Sequence, residues 1–201
     1  MVCCGCCKQI WVLLMFFVWV GCCMHKELNA VKGGDKCMTA WWDKNGIDGP
    51  LLLMNQDNTA AASGGSSDAR SHAIQISGQG AVKALNLTGA LFCNKDDKKG
   101  QQDALQYYLE ALLGYFSLWP DMSNTRYQSH CNTASEWLVH HSLYITYLEI
   151  LMHRKDSQTF TNMEWNVYNT LLCPKTTEEI VCLSLWGNCI GPPVSVPLIY
   201  E

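Results

Sequence analysis

The side chains best suited to proton transfer concentrate in one short stretch: His130, Glu136, His140 and His141 lie within twelve positions of one another. On a helix, Glu136 and His140 stand four residues apart and share a face, so a carboxylate and an imidazole can point into one cleft. That pairing suits acid–base work, because imidazole titrates near neutral pH and a carboxylate beside it stabilises its charged form. Each residue also has a structural reading. Thr133-x-x-Glu136 spells a capping box, which would make Glu136 a helix-start residue, and His140 and His141 suit a helix surface equally well. His130, Cys131, His140 and His141 hold no paired CxxC spacing of the kind zinc sites use. No phosphate-binding glycine loop, dinucleotide fingerprint, nucleophile elbow or HExxH is present, so the sequence calls for no cofactor.

The elements that must position these residues can be read from periodicity. A helix is expected over Gln102 to Phe116, its face formed by Leu105, Tyr108, Leu109, Leu112, Tyr115 and Phe116 and its end set by Pro120. A second helix is expected from Thr133 to Arg154, with Trp137, His141, Tyr144, Leu148 and Leu151 as its seam. Thr161-x-x-Glu164 repeats the capping device before a third helix ending near Leu172, ahead of Cys173-Pro174. Residues 73–92 carry partial alternation, as in Ile74 and Ile76 and then Leu85 and Leu87, which predicts one or two strands, and Val194-Ser195-Val196 predicts a closing strand. Strand signals flanking three helices predict an α+β domain over residues 73–201: a small sheet packed with about three helices, disulfide-stabilised. Ahead of it, residues 25–58 read as an N-terminal extension and 59–72, rich in small residues and glycine, as a linker. The aromatic run Tyr107, Tyr108, Tyr115, Phe116 and Trp119 can fill a helix core or stack on bases.

Composition bounds the partners and the compartment. The chain has 201 residues, 48% of them apolar, enough for a core, and a formal charge of −4. Without its first 24 residues it keeps 13 basic against 18 acidic groups, a balance that excludes a surface built to neutralise duplex DNA. Ile10 to Met24 is an unbroken run of apolar, glycine and cysteine residues between Lys8 and His25, matching the hydrophobic region of a signal peptide and falling short of a full membrane span. Residues 1–24 are therefore expected to act as a signal, with Gly21-Cys22-Cys23 the candidate cleavage site, or as an uncleaved anchor that associates with membrane through residues 10–24. Asn86-Leu87-Thr88 is a glycosylation sequon, and beyond residue 24 six cysteines remain: Cys37, Cys93, Cys131, Cys173, Cys182 and Cys189. Six thiols allow three disulfides in fifteen pairings, and an even number beyond an apolar leader predicts a secreted or luminal protein.

One part of the chain resembles a known family. Leu118-Trp119-Pro120-Asp121, followed by Tyr127 and Cys131, is similar to the first conserved segment of the ribonuclease T2 family. Phe92-Cys93 resembles the end of that family's opening strand, and Glu136-Trp137-Leu138-Val139-His140 resembles the helical core of its second catalytic segment. The resemblance implies an exported, disulfide-linked α+β protein acting on single-stranded RNA without a metal, with Glu136 and His140 as catalytic residues and Trp119 and Phe116 as substrate-binding residues. Phe116 falls where the family's first catalytic histidine belongs, and Ser117, Ser135, Val139, His141 and Leu143 replace other motif residues, so the implied centre is incomplete. A second register, through Tyr168 to Pro174 and Cys189, implies Cys131–Cys189 and Cys93–Cys173 disulfides. The expectation is a glycoprotein that binds or recognises its partner, either single-stranded RNA or an extracellular protein. The alternatives are an active ribonuclease using His140, with His130 as a substitute acid, and a helical extracellular ligand or viral surface glycoprotein unrelated to nucleases.

Overall fold

The computed structural model describes residues 23–94, 100–122 and 128–189. Among them the chain forms nine helices: α1 (Cys23–Asn45), α2 (Gln56–Gly64), α3 (Ser67–Ile76), α4 (Gly80–Phe92), α5 (Gln102–Leu113), α6 (Ser129–Val139), α7 (His141–Arg154), α8 (Asn162–Leu172) and α9 (Pro174–Cys189). Helices take 76% of the described residues, and the β-structure is one isolated bridge between Leu53 and Gly78. The expected α+β class is thus corrected to all-α. The expected closing strand at residues 194–196 and the apolar run Ile10–Met24 lie outside the described residues, apart from the first two residues of α1. No helix among the described residues is long and apolar enough to cross a membrane.

The strand reading of residues 73–92 failed for a physical reason. α4 lies at the centre of the bundle, packed against α1, α6, α8, α9 and α5, and it is buried on nearly every side. Its buried positions Ala81, Ala84, Leu85, Thr88, Leu91 and Phe92 recur at three and four, but Val82 and Leu87 are covered as well, so the helical stripe is blurred into apparent alternation. Small residues let the neighbours close in: a Cβ at Gly89 would lie 2.6 Å from the Met122 side chain. In α3, by contrast, Ile74 and Ile76 face solvent and Ala73 is the buried residue. The small-residue stretch at 59–72 is divided between α2 and α3, which pack on each other; Asn55 and Ser66 cap them, each accepting a backbone N–H three residues on.

The core is aromatic. Phe92, Trp137 and Tyr144 are its largest fully buried side chains, and Trp119 joins them, its ring 4.8 Å from Tyr144 and 5.3 Å from Phe92. Leu85, Leu105, Leu109, Leu148, Val167, Leu171 and Ile180 close it from α4, α5, α7, α8 and α9. The Thr161 capping box forms as expected: the Thr161 hydroxyl accepts the Glu164 N–H, and the Glu164 carboxylate accepts the Thr161 N–H while also holding Lys155. α8 stops at Leu172, and Pro174 opens α9 at the position where a missing N–H costs nothing.

The expected disulfides do not form. Cys93, Cys131, Cys173 and Cys189 are free thiols, as are Cys37 and Cys182. Cys131 is buried against Gly187 of α9, two residues short of Cys189; two residues turn a helix by about 200°, which sends Cys189 to the opposite, solvent side. The Cys93 thiol donates to the Pro120 carbonyl at 3.3 Å, whereas Cys173 sits at the start of α9.

Candidate functional site

The helix expected from Thr133 to Arg154 is two helices. α6 begins at Ser129, four residues early, and the chain breaks at His140, whose backbone (φ −112°, ψ 21°) separates α6 from α7. Thr133 is therefore inside α6, its hydroxyl donating to the Ser129 carbonyl, and no capping box forms with Glu136. This frees the Glu136 carboxylate for side-chain chemistry. Its Oε1 accepts from His140 Nδ1 at 2.7 Å and from the Tyr144 hydroxyl at 2.5 Å. The bond orients the imidazole ring and leaves Nε2 as the ring nitrogen that Glu136 does not engage. Burial, then the bond to Glu136, pushes the Tyr144 phenol far above its ordinary range, so it acts only as a donor.

The other expected residues divide around this network. α5 stops at Leu113 because Gly114 adopts the left-handed conformation (φ 74°) and its N–H caps Glu110. Tyr115 and Phe116 consequently leave the helix, and Phe116 is 60% exposed. Tyr115 acts on Tyr144 only as a weak electrostatic influence that further disfavours its ionisation. Trp119 is 5% exposed and belongs to the core, so it is not placed to touch a substrate. His141 donates from Nε2 to the Leu171 carbonyl at 2.8 Å, a tie between α7 and α8. Tyr127 lies outside the described residues. Asn86 faces solvent on α4, with the sequon hydroxyl of Thr88 bonded to the Ala84 carbonyl. Tyr144 is the member of the network that sequence reasoning took for core alone; its place four residues after His140 was the available signal.

His130 is not part of this network. It is buried near the start of α6, where desolvation, helped by Lys32, holds its imidazole below the ordinary range, and its Nδ1 has no hydrogen-bond partner. Its neighbour Cys131 donates its thiol to Glu27 Oε1 at 3.8 Å, and burial together with that carboxylate pushes the thiol up to about 12. The pKa of Glu27 is itself raised by burial. Among the described residues no group of three or more His, Cys, Asp or Glu side chains is arranged to hold a metal ion.

The arrangement at α6–α7 can orient an imidazole and donate or accept one proton through it. A second proton-transfer group is not supplied where the resemblance would put it, since Phe116 stands there. Comparison with protein-family models, with curated proteins and with solved structures finds no match to this chain.

Proposed function

We propose that this is an exported, helical recognition protein that engages its partner through the Tyr115–Phe116 segment and the Glu136–His140–Tyr144 network and does not hydrolyse RNA. The observation that carries the reading is the exposure of Tyr115 and Phe116 immediately past Gly114, together with an imidazole that a carboxylate already orients on α6–α7. Aromatic rings held at low entropy together with polar, hydrogen-bonding groups are what recognition surfaces use, and buried aromatic anchors carry most of the energy at such contacts. Cleavage of RNA needs an acid and a base acting together, and Phe116 cannot move a proton. Export is supported by the apolar run Ile10–Met24 and by a sequon whose asparagine is exposed on α4; free cysteines lend it nothing.

Two measurements test the proposal. Protein recovered from an exporting cell is expected to begin between about Cys22 and Leu28 and to carry a glycan on Asn86; a chain retained in the cytosol with Asn86 unmodified overturns export. Single-stranded RNA at mildly acidic pH is expected to stay intact. Turnover that disappears in His140→Ala would restore the nuclease reading, because losing one proton-transfer group costs about 10²–10⁴ in rate.

A further inference from the structure

The start of α4 is capped from outside. Its own N-cap residue, Gln79, makes no side-chain bond to the helix, and the Ala81 N–H is bonded from another helix. Glu179, on α9, accepts the Ala81 N–H through Oε2 at 2.8 Å and the Trp42 indole N–H through Oε1 at 2.7 Å. Asp35, on α1, brings its carboxyl group to the same helix start, beside Gly80. Three helices distant in sequence thus meet at one pair of carboxyl groups. A Cβ at Gly80 would stand 2.7 Å from Glu179 Oε2 and 3.5 Å from Asp35 Oδ1, so these oxygens are at most about 6 Å apart.

Two negative charges at that separation, one of them on a residue only 3% exposed, repel each other and need compensation. α4 presents N–H groups and the positive end of its dipole. The nearest cation from α9 itself, Lys175, is bonded to the Asp48 carbonyl and lies 6.0 Å from the Trp42 ring centre rather than on either carboxylate. α1 carries Lys32 and Lys36 near Asp35 in the chain, α4 carries Lys83, whose stem lies against Gly78, and the carboxylates of α6 and α8, Glu136 and Glu164, are bonded to His140 and Lys155; among the described residues the charge that acts on Glu179 is Asp35, and it is repulsive.

We propose that Asp35 and Glu179 form an acid-responsive latch, in which one proton taken up by the pair tightens the seat of α1 on α4 and α9 and its release loosens that seat. Burial raises the pKa of both carboxyl groups, and for Glu179 the Asp35 charge adds to it. A carboxyl group whose folded pKa lies above its unfolded value contributes stability fully at pH below the unfolded value, and that contribution is lost as pH rises through the folded one. The latch is therefore closed in acid and slack at neutral pH. It acts on the helix that adjoins the Ile10–Met24 run in the chain.

Hydrogen exchange of the α1 amides between residues 31 and 45, corrected for intrinsic rates, reads the latch on the intact chain. Protection is expected to be several-fold greater at pH 5 than at pH 7.5, each pKa unit of separation being worth about tenfold. Asp35→Asn, at a half-buried position, removes one charge and is expected to flatten this dependence and to raise protection at pH 7.5. Carboxyl-carbon titration of the unmutated protein is expected to show at least one of the pair titrating above the ordinary carboxylate range. Protection that does not change with pH, a dependence that persists undiminished in Asp35→Asn, or ordinary titration of both groups would each overturn the proposal.

Discussion

Gly80→Ala separates steric from conformational cost at the junction of α1, α4 and α9. Gly80 has φ +85°, where an L-residue pays about 1–2 kcal/mol for the left-handed backbone. The added Cβ would also stand 2.7 Å from Glu179 Oε2, a contact that real side chains do not tolerate. Glu179 cannot yield freely, because bonds to Trp42 and Ala81 hold both of its oxygens. Moving it sacrifices at least one hydrogen bond to an acidic group, worth about 1.5–3 kcal/mol. The two effects together predict a loss of about 3–5 kcal/mol. At about 2–4 °C per kcal/mol for a chain of this size, the melting temperature should fall by about 10 °C.

Gly114→Ala is the control. It has φ +74° and nothing within 4 Å of its added Cβ, so only the backbone term applies and the loss should be about 1–2 kcal/mol. Chemical denaturation of both variants, with a double-mutant cycle pairing Gly80→Ala with Glu179→Ala, isolates the contact: without the Glu179 side chain, Gly80→Ala should cost no more than Gly114→Ala. Equal losses for the two single variants, or no coupling in the cycle, would refute the claim that Glu179 is pinned against Gly80.

Other outcomes follow from individual residues. Thr161→Ala removes half of the capping box that starts α8 and should cost about 1 kcal/mol by denaturant titration, whereas Thr133→Ala should show no loss of a cap, since Thr133 is inside α6. Native protein alkylated without reductant should be modified at Cys37, Cys182 and Cys189. Cys131 should resist, because raising its thiol from about 9 to about 12 cuts the thiolate fraction about 10³-fold. Burial tends to raise the Cys173 thiol, but bonds from Thr176, Leu51 and Lys175 outweigh it and lower the pKa, so Cys173 should react faster than its half-buried position alone would suggest. His130 is held below its ordinary 6.5, so its contribution to stability is present above that pH and is lost as pH falls through the folded value. Denaturation midpoints at pH 7.5 and pH 5 should show the unmutated protein losing ground to His130→Gln on acidification.

The candidate site was legible where its residues speak to one another along a single helix turn. Glu136 and His140 pair as their spacing requires, and the seam Trp137, Tyr144 and Leu148 is buried as expected. Phe116 was read as the last residue of an amphipathic face, although Gly114 two positions earlier carried the stop signal and leaves Phe116 exposed. For Trp119 the residues allow a helix core or base stacking and the resemblance implies substrate binding; a lone tryptophan beside a proline gives no local sign of which core it will enter, and here it fills the space between Phe92 and Tyr144.

The larger misreading, strands in place of α4 and a late start for α6, has a further cause besides the blurred stripe of α4. A helix start is recognisable in sequence when the residue before it caps the free N–H groups, as Asn55, Ser66 and Thr161 do. α4 follows Gln79 and α6 follows Gln128, and neither makes a capping bond through its side chain. Other helices reach their starts instead: Glu179 caps α4 from α9, 98 positions away from the Ala81 amide it accepts, Asp35 of α1 lies beside the same turn, and Glu27 of α1 holds the Cys131 thiol near the head of α6. Each of these carboxyl groups lies in a helix and looks like an ordinary solvated charge until the bundle closes. The same arrangement explains why all three have raised pKa values: a carboxyl group that reaches the head of a neighbouring helix is buried in doing so. Carboxyl groups brought from a distance therefore make the inner helices of this fold both unreadable from local pattern and sensitive to pH, and the two properties should disappear together in any variant that replaces them with a capping side chain at position 79 or 128.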